Sequence, residues 1–120
     1  MTHAAPTATP ATDQALVVLC TTPDQHTAQS LAHALVSEQL AACINILGPI
    51  SSIYQWGGQL EQAIEHLLLI KTTVSTYPQL EARLSALHPY EVPEIIALPV
   101  AQGADSYLHW LSSSTSKPSP

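Results

Sequence analysis

The sequence predicts an α+β domain: a strand, a helix, two strands, a second helix and a fourth strand, closed by a short helix. Three observations carry this. Apolar residues change period along the chain, from compact or alternating runs to helical spacing and back. Proline and small polar residues punctuate the changes. A Gly-Gly pair at 57–58 separates two long extended segments, where a two-residue hairpin turn needs positive φ.

Ala15 to Cys20 is the apolar run Ala-Leu-Val-Val-Leu-Cys, which suits a strand buried on both faces. Thr22-Pro23-Asp24-Gln25 reads as a helix start, with Thr22 as the cap and Pro23 in the first turn. Ala28, Leu31, Ala32, Leu35 and Val36 then share one apolar face that ends near Gln39. Ala42 to Trp56 is extended, with a bulge or bend expected at Gly48-Pro49. Leu60 to Val74 is the return strand. Ser75 or Thr76 caps the second helix, which carries Leu80, Leu84 and Leu87 on one stripe and stops at Pro89. Glu94 to Val100 is the fourth strand, and Asp105 opens a last helix expected to bury Tyr107, Trp110 and Leu111. This is the order of the ferredoxin-like split βαβ fold, with a long hairpin between the second and third strands.

A chain of 120 residues has room for one domain, placed at residues 14–113. Residues 1–13 and 114–120 show no apolar periodicity and read as disordered tails. The formal charge of −6 argues against nucleic acid, whose affinity comes from Lys and Arg on phosphates, and against an anionic membrane surface. No apolar run approaches the roughly 20 residues of a membrane span, and the start lacks the charged and apolar regions of a secretory signal. The expectation is a cytoplasmic protein with two free thiols. Cys20 and Cys43 fall on opposite edges of the expected sheet, about 20 Å apart, beyond the roughly 7 Å reach of a disulfide.

Length makes a further demand. Each hairpin arm of roughly 14 residues spans about 45 Å, whereas a compact domain of this size is about 33 Å across. The arms must overhang, exposing Ile53, Tyr54, Trp56 and Leu60 together with unpaired strand edges. Such edges are normally covered, so a symmetric oligomer is expected.

Several segments resemble the CutA-type divalent-cation tolerance family. They are Val18–Pro23, Leu40–Asn45, Tyr54–Gly58, Ile70–Thr72, His88–Glu94 (His-Pro-Tyr-Glu-Val-Pro-Glu) and Tyr107–Leu111, in family order across the whole body. The resemblance implies a cytoplasmic homotrimer of ferredoxin-like subunits, related in architecture to PII signalling proteins. It also implies a link to copper tolerance and binding of Cu(II) or similar divalent cations, with no agreed enzymatic activity. Cys20 and His88 are the metal ligands it carries over. Leu87 stands where relatives often place a second histidine, Arg83 where some carry a cysteine, and Gln59 where a lysine is common.

The expected topology brings Cys20, at the end of the first strand, toward the segment from His88 to Glu94. Thiolate and imidazole together suit copper or zinc, but two ligands per chain leave the sphere open to water, a carboxylate such as Glu94, or a neighbouring subunit. The alternative is that Cys20 is a small buried apolar residue and His88 a helix-terminal one. Lys71 and Arg83 are the cations of the body. Lys71 needs a partner, expected in Glu65 or another chain's glutamate, or else an anion. A second functional reading is therefore a PII-like sensor holding an anionic metabolite in inter-subunit clefts lined by Lys71, Glu94, Tyr90 and Glu65. Tyr54, Trp56 and Trp110 are expected at the trimer interface, with His66 a further interface candidate. His3, His26, His33 and His109 show no metal-ligand grouping.

Overall fold

The computed structural model describes residues 13–115; the remainder of the two expected tails lies outside them. The elements are β1 (Ala15–Thr22), α1 (Gln25–Ser37), β2 (Cys43–Trp56), β3 (Gln59–Thr73), α2 (Tyr77–Leu87), β4 (Ile96–Pro99) and α3 (Asp105–Ser113). They form one antiparallel sheet in the order β2-β3-β1-β4. This is the expected ferredoxin-like arrangement.

Side-chain alternation explains where the core sits. Val18 and Cys20 of β1 and Leu68 and Ile70 of β3 project to one face. There Leu31 and Leu35 of α1 and Leu80 and Leu84 of α2 cover them. The odd-numbered residues of β1 and β3 face the other way, in rows such as Leu98–Val17–Lys71–Cys43. On that second face α3 buries Leu111, and its Tyr107 meets Cys43.

Local boundaries differ from the sequence reading in four places. Thr22 does not cap α1: it ends β1, and its hydroxyl donates to the carbonyls of His66 and Asp24. Asp24 is the cap, its carboxylate accepting from Thr27 N–H at 2.7 Å, which holds its pKa below the usual range. Thr76 caps α2 without a side-chain bond to the helix, because its hydroxyl accepts from Thr73 Oγ1 instead. The fourth strand is shorter than Glu94–Val100, since Glu94 and Ile95 precede its pairing with β1. Tyr107 and Trp110 are about half exposed and meet ring to ring in a tilted contact at 5.5 Å, leaving Leu111 as the buried residue of α3.

The hairpin overhangs. β1 stops at the Thr22–His66 pair, while β2 and β3 continue alone to the Trp56–Gln59 pair. The long axis reaches 59 Å against 28 and 23 Å for the others. The radius of gyration is 16.6 Å, where a compact 100-residue domain has about 13 Å. At the root of the arm the ladder slips between Leu47 and Ile50, so Gly48 and Pro49 form the expected bulge.

Candidate functional site

The base of the arm is where the end of β1, the start of the ribbon and the segment after α2 converge. Pro89 follows α2 and cannot continue it, so the chain turns out at His88, whose N–H still bonds Leu84 O at 2.9 Å. The His88 ring then turns toward β1. Its Nε2 donates to the main-chain oxygen of Thr21 at 2.8 Å, and its Nδ1 accepts from Tyr90 N–H at 3.1 Å. Thr21 O is an acceptor only and a backbone N–H a donor only, so these two contacts define the neutral tautomer with the proton on Nε2. Tyr90 packs on this ring with centroids 4.7 Å apart, and its hydroxyl donates to Glu65 Oε2 at 2.6 Å. Glu65 is buried, and Tyr90 OH answers its charge. Burial and the Glu65 carboxylate together push the Tyr90 phenol pKa well above its ordinary value.

Beside this network lies a cleft of about 740 Å³, lined by Thr21, Glu65, Tyr90, residues 91–94 and residues 52–56 of the arm. Three of its side chains are carboxylates, Glu65, Glu91 and Glu94, and none is cationic. Glu65, Tyr90 and Glu94, expected with Lys71 in a cleft between subunits, line one cleft within the single chain. Lys71 does not join them. It sits six residues from Glu65 along β3, about 20 Å away, and its Nζ reaches Asn45 Oδ1 and, at 3.8 Å, Cys43 Sγ. Glu65 is therefore not its partner. Tyr54 and Trp56 line the outer wall of the cleft while remaining about half exposed, and Trp110 lies elsewhere, on α3.

Cys20 and His88 do come close, both bonding the same Thr21 oxygen, but they do not fit a metal. Cys20 Sγ, 0% exposed, donates to Thr21 O at 3.7 Å. Burial first, then Glu94 and Glu65, push its pKa up to about 12, so the thiolate a metal needs is suppressed. Both His88 nitrogens are already engaged. Among the described residues, no three His, Cys, Asp or Glu side chains gather closely enough to hold a metal ion.

A pH dependence follows. Above pH 9 the unfolded chain loses the Cys20 proton while the folded chain keeps it to about 12. In that window the unfolded state binds fewer protons, so stability falls as pH rises, by up to about tenfold in the folding equilibrium per pH unit from this group. Comparing urea midpoints of the native chain and Cys20→Ala from pH 8 to 11 isolates the effect; parallel curves contradict it. At pH 8, iodoacetamide is expected to label Cys43, which is half-buried, and spare Cys20, as peptide mass spectrometry reads directly.

Sequence reasoning missed the Thr21 carbonyl, a main-chain group with no residue-type signal. It also missed Glu91 as part of the acidic wall, although Glu91 lies inside the His-Pro-Tyr-Glu-Val-Pro-Glu motif.

The sequence and the fold are similar to those of known proteins. The family described as CutA1 divalent ion tolerance protein matches residues 16–114. The chain is similar to the divalent-cation tolerance protein CutA of Thermus thermophilus, 52% identical over 99 residues, covering 82% of this chain and 96% of that one. Among solved structures, CutA1 from Oryza sativa superposes with a TM-score of 0.86 at 42% identity, covering 89% of this chain and 98% of that chain. A protein from Archaeoglobus fulgidus, described as a periplasmic divalent cation tolerance protein CutA, gives 0.81 at 31%, covering 83% and 97%.

Proposed function

Since the chain belongs to the CutA1 divalent ion tolerance family, we propose that it serves divalent-cation tolerance as a homotrimer that gathers cations at the cleft beside the hairpin. The observation that carries this reading is the sign of the cleft: Glu65, Glu91 and Glu94 line it with no positive side chain. Carboxylates in a concave wall raise the local concentration of cations. The same sign disfavours the sensor reading, because an anionic metabolite would meet three carboxylates, and the chain's own Lys71 lies away from them. One chain supplies no complete coordination sphere among its described residues, so a neighbouring copy or water supplies the rest. Copper is the first cargo to test, as Cu(II) stands highest among divalent first-row ions at a given donor set.

The reading assigns binding rather than turnover, since a thiol held protonated at Cys20 is a poor nucleophile. It also places the protein in the cytoplasm, where both cysteines stay reduced. No helix among the described residues is long and apolar enough to cross a membrane. Cell fractionation decides between this location and the periplasm named for the Archaeoglobus relative.

Light scattering is expected to give three times the 12.8 kDa chain mass. Calorimetric titration with Cu(II) is expected to show binding that weakens at least tenfold in Glu91→Gln/Glu94→Gln. Unchanged affinity removes the cleft from the function. A native melting midpoint that rises with nucleotide polyphosphates but not with Cu(II) favours the sensor instead.

A further inference from the structure

The main-chain oxygen of Thr21 accepts from two side chains at once, His88 Nε2 at 2.8 Å and Cys20 Sγ at 3.7 Å. A carbonyl has two lone pairs, and both are used here. The remaining lone pair of the His88 ring, on Nδ1, is met by Tyr90 N–H at 3.1 Å. This imidazole has nothing left to offer a metal. Its neighbour Cys20 is sealed in the core under α1 and α2.

From these contacts we infer that neither Cys20 nor His88 is a metal ligand: Cys20 is a buried packing residue and His88 a positioning residue. His88 clamps the end of β1 to the end of α2 and sets Tyr90 so that its hydroxyl meets Glu65 in the cleft wall. The clamp is continuous in space: Thr21 O to His88 Nε2, His88 Nδ1 to Tyr90 N, Tyr90 OH to Glu65 Oε2 at 2.6 Å. The ring contact of 4.7 Å between His88 and Tyr90 braces the phenol from the side. Glu65 is 6% exposed, so the clamp decides where one of the cleft's three carboxylates stands and what answers its charge. The inference rests on the cleft reading only for its consequence, because the clamp exists whether or not a cation binds.

The test uses the full native chain. In a ¹⁵N-labelled sample, the long-range ¹H–¹⁵N spectrum is expected to show His88 protonated at Nε2 and bare at Nδ1, with neither resonance moved by Zn(II). A Zn(II)-dependent shift of either His88 nitrogen overturns the inference. Cys20→Ala is expected to keep Cu(II) affinity within twofold by calorimetry, and a tenfold loss overturns it. The positioning role has its own readout. Tyr90→Phe is expected to lower the thermal midpoint in the native background but not in His88→Ala, where the phenol is already released. It is expected to do so again in His88→Asn, whose Oδ1 takes the acceptor place of Nδ1. Equal lowering in all three backgrounds contradicts the role. A native chain that takes up no Cu(II) sinks the proposed function, yet leaves the tautomer and the coupling to decide the clamp.

Discussion

A Trp56→Glu/Leu60→Glu double variant is expected to scatter light as a single 12.8 kDa chain at micromolar concentration, and the native chain as three. The reason lies in the arm. Ile53, Trp56, Leu60 and Ile64 are 65, 59, 74 and 60% exposed. They stand on a ribbon beyond the last β1 pair, so nothing in their own chain buries them. Burying a large apolar side chain stabilises by about 2 kcal/mol. Replacing two such residues in each of three copies removes that gain and adds carboxylates that resist desolvation. Association is therefore expected to weaken by several powers of ten. The helix-covered core lies at the other end of the long axis, so far-UV circular dichroism is expected to stay native. A variant that keeps the trimeric mass refutes the arm-mediated assembly, and loss of the spectrum shows that the arm is part of the folding core instead.

Gly48→Ala is expected to destabilise the chain by about 3 kcal/mol, combining a backbone region closed to most side chains with overpacking. Gly48 has φ of +154°, and a Cβ there meets His66 Cδ2 at 2.7 Å and Cγ at 2.9 Å, with Glu65 O at 3.2 Å. His66 Cγ lies one bond beyond its Cβ and Glu65 O is main chain, so neither is the far end of a flexible side chain that could swing aside. Gly57 makes the control: its φ of +61° suits asparagine, and nothing lies within 4 Å of a Cβ there. Gly57→Asn is thus expected to leave the urea midpoint nearly unchanged while Gly48→Ala lowers it markedly. Equal midpoints for the two variants contradict the argument. Because Glu65 neighbours this contact, Gly48→Ala is also expected to weaken Cu(II) uptake, whereas Gly57→Asn is not.

Much of the architecture was legible from residue spacing. The run Ala15–Cys20, the helical stripes through Leu31 and Leu35 and through Leu80 and Leu84, and the Gly57-Gly58 turn each specify a local period. Together they leave one topology. The overhang was legible too, since strand rise and chain length suffice to compare arm with globule. Misplacements came where two local signals competed. Thr22 and Asp24 are both good caps, and Thr22 was claimed by the sheet through His66 O. Trp110 and Tyr107 have the right helical phase for burial, but a nine-residue helix on a half-covered face buries only the position aimed at the sheet, Leu111.

By itself, the order of residues determined the fold and the protruding hairpin, because period, turn chemistry and strand rise are properties of neighbouring residues. Only the tertiary structure decided that Glu65, Tyr90 and Glu94 line one cleft while Lys71 stays away from it, that Cys20 keeps its proton and that His88 spends both nitrogens. Each depends on a partner distant in the chain, such as Thr21 O or Asn45, and on burial, which no spacing along the sequence encodes.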